Sequence, residues 1–392
     1  CLSRGLGDVY KRQGVKYLLS PDAYITADYQ ADFFSSRYNF LNASKTYKTQ
    51  PGDELVRKRT RNQQANVKGI FNLGERNKVS VGVEYLADML SSPTENISHK
   101  TAYTAAIFAQ DEITITRQLR ALAGVRYLYH EFFKSYATPN VALMYGQGGL
   151  NLRASYAAGF RAPTLSELYA SETTKSVDRI TIGNLNLKPE KSDYFSLNAE
   201  YAHSRFTVST NFFYNRIRDM IDYRTIATGE DAKKQYGHEE VRQRDNVYKA
   251  KVRGINVAAQ AYLGAGFRIG AGYTHLDTKD DETGRPIDKS LRNAANVNAQ
   301  WTRTWGGYTM NVYLNGRINS ERFSKTYGYA PAYQVWDLNT RHTFSLRSVI
   351  LEPGVGIENL FNYTDDRPYN FNYATLTPGR SVYVSLSIKF RG

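Results

Sequence analysis

From about residue 22 onward, apolar and polar residues alternate along most of the chain. Successive side chains of a strand point to opposite faces, so this period predicts strands with one apolar and one polar face. The first long example runs through 25–33 and the last through 382–390. The same alternation recurs at 79–85, 121–127, 197–201, 255–261, 297–301 and 336–340. The chain is therefore predicted to be all-β.

The predicted strands are joined by connections that alternate between short and long. Short ones fall near 20–21, 73–77, 116–119, 146–149, 202–205, 263–266, 304–307 and 345–352. Long ones fall near 35–62, 88–100, 130–137, 161–189, 219–248, 276–291, 319–332 and 362–380. These connections imply about 17 antiparallel strands, with the turn asymmetry of outer-membrane barrels. A soluble β-sandwich is the alternative, but such regular alternation is not expected of it.

The aromatic content supports a sheet with one lipid-facing side. The chain contains 31 Tyr, 18 Phe and 3 Trp, residue types that favour strands and membrane interfaces. No stretch approaches the roughly 18 consecutive apolar residues of a membrane helix. A helical membrane protein is thereby excluded.

The basic excess gives a formal net charge of +14. Such a charge attracts polyanions, for example lipopolysaccharide or an acidic ligand, although a solvated surface would also explain it. The densest cluster is Arg57, Lys58, Arg59 and Arg61, and the other basic residues are scattered. Because no basic helix, zinc spacing or RNA-binding motif is present, nucleic acid is not an expected partner.

The first thirteen residues do not share the pattern that follows. The segment 1–13 (CLSRGLGDVYKRQ) holds the one cysteine, Cys1. We expect it to be a foreign leader, similar to a translated sequencing adapter, so that 14–392 is the natural barrel portion. On this expectation, the natural chain begins further upstream.

Three motifs point to a known family. Residues 159–169 read GFRAPTLSELY, residues 184–190 read NLNLKPE, and residues 358–363 read ENLFNY, followed by PGR at 378–380 and a last strand that ends at Phe390. Together they resemble the C-terminal barrel portion of TonB-dependent outer-membrane receptors, in the family's order and over about residues 100–390. Arg391 and Gly392 follow the terminal aromatic, where the family usually ends on it.

The resemblance implies a transmembrane antiparallel β-barrel. Family barrels have about 22 strands around a plugged lumen, so about 17 strands would be a fragment, with the plug and the first strands missing upstream. It also implies a Gram-negative outer-membrane receptor for TonB-energised uptake of a scarce nutrient, with TonB bound through the missing N-terminal region. A ferric siderophore or cobalamin is the expected ligand. A passive pore, or a haem or glycan receptor of the same fold, is the alternative. The implied protein is not an enzyme and needs no cofactor.

The family motifs supply candidate residues for structural or plug-contacting roles. Arg161 and Glu167 flank a proline and are interpreted as a local ion pair, while Asn359 and Gly379 are turn formers and Arg380 suits a head-group position. The full set is Gly159, Phe160, Arg161, Ala162, Pro163, Glu167, Leu168, Tyr169, Asn184, Leu187, Pro189, Glu190, Asn359, Leu360, Phe361, Gly379, Arg380 and Phe390.

Ligand-binding candidates are the aromatic and basic residues of the last two long connections, since such side chains can stack on and pair with an anionic ferric chelate. They are Arg322, Tyr327, Tyr329, Arg367, Tyr369 and Tyr373. An ordinary aromatic girdle is the alternative explanation. Family haem receptors often carry a histidine between the first two motifs, and none of the six histidines falls in 161–189, which disfavours haem. No metal site or catalytic set is predicted.

Overall fold

A computed structural model describes residues 2–43, 48–174, 178–281, 284–288, 290–324, 328–364 and 378–390. In the described residues, seventeen strands have ten residues or more. They are β1 (Leu2–Ser20), β2 (Ala23–Asn39), β3 (Glu54–Leu73), β4 (Asn77–Ser92), β5 (Ile97–Thr114), β6 (Leu119–His130), β7 (Lys134–Gln147), β8 (Leu150–Arg161), β11 (Glu190–Ala202), β12 (Phe206–Thr228), β13 (Glu240–Gly264), β14 (Phe267–Asp280), β15 (Asn293–Trp305), β16 (Tyr308–Asn319), β19 (Tyr333–Ser345), β20 (Val349–Glu358) and β21 (Ser381–Phe390).

The smaller elements lie in the long connections. They are a 3-10 turn (Pro93–Glu95), α1 (Leu165–Tyr169), β9 (Ser171–Thr174), β10 (Arg179–Ile182), α2 (Gly229–Tyr236), β17 (Arg322–Ser324) and β18 (Gly328–Ala330). Of the helices described, none is long and apolar enough to cross a membrane.

The strand count confirms the prediction, and the eight short connections contain two to four residues each. Two connections predicted to be long are wrong in extent. The pairing of β4 with β5 continues to Ser92 opposite Ile97, so that connection is only residues 93–96. Residues 131–133 likewise join β6 to β7. The polar residues that suggested loops there belong to strand ends that continue to pair.

The chain divides into two compact units. The first comprises Cys1–Leu143, Tyr156–Tyr194 and Ile217–Lys249. In it, β1 to β6 pair consecutively and antiparallel. The hairpin of β9 and β10 adds a short parallel pairing of β10 with the start of β13. β1 includes residues 2–13, whose foreign origin stays a prediction.

The second unit comprises Met144–Ser155, Phe195–Arg216 and Ala250–Gly392. From Ala250 onward, β13, β14, β15, β16, β19, β20 and β21 pair antiparallel in that order. The β17–β18 hairpin forms a separate two-stranded sheet. The consecutive long strands of both units therefore pair antiparallel, as the sequence predicts.

Each meander has one apolar and one polar face. In the first unit the apolar face exposes Val81, Val83, Ile107 and Val125, whereas Glu84 and Arg126 pair at 2.8 Å on the opposite face. Large apolar surfaces are left exposed only where something apolar covers them, and lipid does so in membrane barrels. The buried clusters are correspondingly small and lie by the long connections.

One glycine shows how closely neighbouring strands approach each other. Gly82 lies opposite Phe108, and a Cβ at this glycine would be 2.5 Å from Phe108 Cζ and 2.6 Å from the Val67 carbonyl oxygen. The aromatic ring therefore covers the backbone of its neighbour, a pairing that stabilises glycine in a sheet.

Candidate functional site

The segment that follows β8 is built to leave the sheet sharply. Pro163 is buried and cannot donate to a ladder, and the chain turns into α1 directly after it. Thr164 caps α1: its Oγ1 accepts from the Glu167 N–H at 3.2 Å, and Glu167 Oε2 accepts from the Thr164 N–H at 2.8 Å. This reciprocal capping box fixes a helix of only five residues.

Arg161 joins the two carboxylates of the motifs. Its Nη1 donates to Glu167 Oε2 at 3.0 Å, and its Nε and Nη2 donate to Glu190 Oε2 and Oε1 at 2.7 and 2.5 Å. The second pair is bidentate, the geometry in which a guanidinium binds a carboxylate most specifically. The predicted Arg161–Glu167 ion pair is present, and Glu190 extends it to the start of β11.

The ion pairs also set the charge state of Glu167. Burial raises the pKa of this carboxyl, but the Arg161 hydrogen bond, the Thr164 N–H and the nearby guanidinium charge outweigh burial and hold its pKa below the ordinary value. Its side chain is only 12% exposed. The carboxylate therefore stays ionised in a half-enclosed site, where it acts as a fixed acceptor.

The second motif packs under α1. Leu187 is buried against Leu168 and Ile221, with Tyr169 at the edge of the cluster. Asn184 accepts from the Asn186 N–H through its Oδ1 at 2.9 Å, which closes the turn before the strand. Glu190 Oε1 also accepts from the Ile221 N–H at 2.8 Å. The motif thus anchors the chain between α1 and β12.

Asn246 completes this anchor, and the sequence motifs do not include it. Its Oδ1 accepts from the Lys188 N–H at 2.8 Å, and its Nδ2 donates to the carbonyls of Lys188 and Asp219 at 2.9 and 2.6 Å. A single amide bridges two segments because it carries both donor and acceptor. The sequence signal for Asn246 is weak: it is the Asp-Asn pair at 245–246 within a long strand.

The remaining residues of the first motif contact their neighbours closely. A Cβ on Gly159 would be 2.2 Å from Ser192 Oγ, so a larger residue there would require the Ser192 hydroxyl to move. The rings of Phe160 and Tyr136 are 4.5 Å apart, and the Lys100 ammonium lies 4.4 Å from the centre of the Tyr169 ring. Ala162 is half-buried and Pro189 is buried.

The C-terminal motif centres on Asn359, which has a φ of +52° and is buried. Its N–H donates to Asp337 Oδ1 at 2.9 Å, its Nδ2 donates to the carbonyls of Tyr363 and Pro378, and its Oδ1 accepts from the Tyr363 N–H at 2.8 Å. Asn359 therefore ties both sides of its connection together.

The other residues of that motif surround this turn or end the last strand. Leu360 N–H donates to the Trp336 carbonyl at 2.6 Å, and Arg380 N–H donates to Asn362 Oδ1 at 2.8 Å. Gly379 lies against the same Asn362 oxygen. Phe361 is exposed, and Phe390 ends β21 opposite Val349.

Among the ligand candidates, the structure brings Arg322 and Tyr329 into the β17–β18 hairpin. Phe323 and Tyr329 pair across it, with ring centres 5.3 Å apart, and Tyr329 is 57% exposed. Tyr327, Arg367, Tyr369 and Tyr373 lie outside the described residues. The ligand-binding roles of all six stay predictions.

The described motif residues form ion pairs and hydrogen bonds, and the β17–β18 hairpin exposes an aromatic side chain. Within the described ranges, no three His, Cys, Asp or Glu side chains come together as a metal site. Arg161 forms ion pairs with both Glu167 and Glu190, so we interpret this network as a structural anchor.

Comparison with known families decides the class of protein. The family model described as "TonB dependent receptor-like, beta-barrel" matches residues 4–360. The chain belongs to the TonB-dependent receptor family. The recognition from the three motifs is confirmed, as is the all-β barrel fold class. Members of this family are outer-membrane transport receptors and not enzymes.

Solved TonB-dependent receptors share the fold. A ferric enterobactin receptor mutant from Pseudomonas aeruginosa superposes with a TM-score of 0.78 at 19% identity, over 98% of this chain and 62% of that one. The siderophore receptor PirA from Acinetobacter baumannii gives 0.71 at 16% identity, over 98% and 63%. At these identities the likeness shows the fold alone.

One sequence relative is a probable hemoglobin and hemoglobin-haptoglobin-binding protein 4 from Haemophilus influenzae. It is 31% identical over 120 residues, which is 29% of this chain and 12% of that protein. The chain therefore aligns with a small part of this relative and spans less than two thirds of the solved receptors.

Proposed function

We propose that this chain is the barrel portion of an outer-membrane receptor that imports a scarce nutrient with energy from TonB, and that the nutrient is a ferric siderophore. TonB-dependent receptors bind TonB and small ferric ligands, and solved relatives of the same fold are titled ferric enterobactin and siderophore receptors. The TonB contact is assigned to the N-terminal region expected upstream. Cobalamin is the alternative ligand.

The observation that carries the siderophore assignment is the β17–β18 hairpin. It pairs the rings of Phe323 and Tyr329, and Arg322 precedes Phe323 in β17. Ferric chelates are anionic and often aromatic, so they combine with stacking rings and with nearby cations. The net charge of +14 adds a long-range attraction for anions.

A second candidate is a haem or haemoglobin receptor, because the Haemophilus influenzae relative is named for hemoglobin binding. The lack of a histidine in 161–189 argues against a haem contact there. A histidine on another connection would still permit it. A glycan receptor has no specific support from the described residues.

Growth on single nutrients separates these ligands. A strain deleted for the complete gene is supplied with ferric enterobactin, haemoglobin or cobalamin as the limiting source, with and without a functional TonB. We expect loss of growth on the ferric chelate alone, and the same loss when TonB is inactivated. Loss on haemoglobin or cobalamin alone would reassign the ligand, and TonB-independent growth would overturn energised import.

Variants of the hairpin test its role in capture. Tyr329→Ala combined with Arg322→Gln should weaken binding of the ferric chelate about tenfold or more, as expected for lost stacking and charge pairing. Arg347→Gln, in the short connection 346–348, is the matched control and should bind as the parent does. Equal binding by the double variant would remove the hairpin from the site.

Conductance distinguishes import from a passive pore. The complete purified protein in a planar bilayer should remain closed. Steady conductance would favour the pore and contradict the proposal.

A further inference from the structure

The apolar face of the first unit contains a groove of about 490 Å³. Two rows of residues from four strands line it. The upper row is Ala65, Tyr85, Ala105 and Tyr129, and the lower row is Val67, Val83, Ile107 and Tyr127. The small side chains of Ala65 and Ala105 lie on either side of Tyr85 and so leave a depression between large neighbours. The volume is within the range of clefts that bind small molecules.

This groove faces away from the polar side of the sheet. Its large side chains are 37–58% exposed, and the ring centres of Tyr85 and Tyr103, and of Tyr103 and Tyr129, are 6.1 and 6.3 Å apart. Such a cluster of tyrosines is typical of the membrane–water interface. The groove therefore lies at the edge of the apolar band.

Two arginines lie on the same face, nearer the start of β3. The pairing of β3 with β4 has no register shift from Arg59 to Leu73, so strict alternation places Arg59 and Arg61 on the face of Ala65 and Val67. Arg61 is four residues from Ala65, about 13 Å along the strand. Its guanidinium stacks 4.9 Å from the centre of the Phe33 ring, directly opposite on β2.

The arginines lie toward the long-connection end of β3, which begins at Glu54 after residues 40–53. In outer-membrane barrels the long connections are extracellular. Both arginines are exposed, so their charges are available at the height where lipid phosphates would lie, with the apolar groove beneath them.

We propose that this face binds a phosphorylated, multiply acylated lipid of the outer leaflet, with its phosphate on Arg59 and Arg61 and an acyl chain in the groove. The inference rests on the outer-membrane location proposed above. Guanidinium groups bind phosphate through paired, geometrically specific hydrogen bonds. Charge complementarity selects this occupant over a second copy of the chain, because two copies of a basic surface would repel each other.

Native mass spectrometry of the purified full chain in non-ionic detergent measures the affinity directly. The probes are bisphosphorylated lipid A, the same lipid without phosphates, phosphatidylcholine and inorganic phosphate. We expect bisphosphorylated lipid A to bind most tightly. The double variant Arg59→Gln/Arg61→Gln should weaken that binding about 30-fold, at roughly one interfacial charge contribution per arginine.

Two further variants separate charge from fold and groove. Lys58→Gln removes the same charge from the same strand but on the opposite face, where Lys58 pairs with Ser36, and should bind lipid as the parent does. Ala105→Phe fills the groove and should weaken both the phosphorylated and the dephosphorylated lipid. Each variant is first checked for the parent's heat-modifiable mobility on a gel.

Several results would overturn the proposal. Equal affinity for the two forms of lipid A would remove the phosphate contact, and inorganic phosphate binding as tightly as the lipid would indicate a free-anion site. Self-association that the arginine variants change, without any effect on lipid binding, would assign the face to a second copy. Because lipid binding is measured without any nutrient, its failure is distinguishable from failure of import.

Discussion

Lys188 and Asn246 exchange two hydrogen bonds although 58 positions separate them: the Lys188 N–H donates to Asn246 Oδ1 and Asn246 Nδ2 donates to the Lys188 carbonyl. The side-chain amide substitutes for a neighbouring strand at the residue before Pro189. Since proline has no N–H for a sheet ladder, the backbone here needs such a partner, and Asn246 supplies it while also holding Asp219.

Replacing Asn246 should loosen this anchor. Asn246→Ala leaves one N–H and two carbonyls without their partner, which should cost about 1–3 kcal/mol. Asn246→Asp keeps the acceptor for the Lys188 N–H. Its second carboxylate oxygen would face the carbonyls of Lys188 and Asp219 and repel them, so this variant should lose at least as much stability. Urea unfolding of the detergent-folded protein measures the free energy. Asn186→Ala, at an exposed turn position, should change it by less than about 0.5 kcal/mol, and an equal loss there would refute the assignment.

The Arg161–Glu167 pair should make stability depend on pH in one direction. Because the pKa of Glu167 is lowered in the folded protein, its stabilisation is fully present above the ordinary value of 4.5 and disappears as the pH falls through the lowered value. We expect the pair to contribute about 1 kcal/mol at most, because Arg161 is partly exposed to solvent.

Heat-modifiable gel mobility of the parent and of Glu167→Gln, compared across pH, checks this expectation. The difference in melting midpoint between the two proteins should be constant above pH 4.5 and should close below it. A difference that persists to the lowest pH would show that the pair does not cause it.

Asn359 should tolerate no substitution that breaks its hydrogen bonds. Asn359→Ala loses three side-chain bonds and puts alanine, which tolerates the left-handed region less well than asparagine, at a φ of +52°, for a loss of about 2–4 kcal/mol. Asn359→Gly relieves the backbone strain only, so it should recover about 1 kcal/mol of that loss. Unfolding free energies of both variants are the measurement. Phe361→Ser, on an exposed side chain, is the control, and equal stability of the alanine and glycine variants would rule out the strain component.

Gly82→Ala should destabilise the sheet by about 1–3 kcal/mol, because the new Cβ would overlap Phe108 and the Val67 carbonyl. Removing the ring with Phe108→Ala should not restore stability, since the backbone contact remains. Gly14→Ala, whose nearest neighbour would be 3.9 Å away, is the matched control. Thermal midpoints compare the three variants, and full rescue by Phe108→Ala would assign the effect to the ring alone.

The sequence predicts the strands well because their signal is local. Alternation such as Val81, Val83 and Tyr85 requires only that one face meets lipid, and the tight turns carry glycines or polar residues that mark them. The extents of the connections at 93–96 and 131–133 were not predictable, because the continuation of pairing past polar residues is a property of two strands together.

The sequence predicts only part of the anchor around Arg161 and Asn246, because the rest depends on contacts between distant segments. Arg161 and Glu167 are six residues apart and could be paired from the sequence, whereas Glu190 pairs with Arg161, and Asn246 with Lys188, across long separations. The groove and the arginines above it depend on register between four strands. A single strand's pattern places Arg59 and Arg61 on the apolar face but cannot show what lies beside them.

The contrast between two- to four-residue turns and connections of up to 28 residues has a practical consequence for engineering and for natural variation. An epitope tag or fluorophore inserted into 40–53 should leave the strand pairing intact, whereas the same insertion at 148–149 or 306–307 would separate two paired strands. Sequence drift, phage escape and antibody recognition should all concentrate at the side of the sheet that can change length.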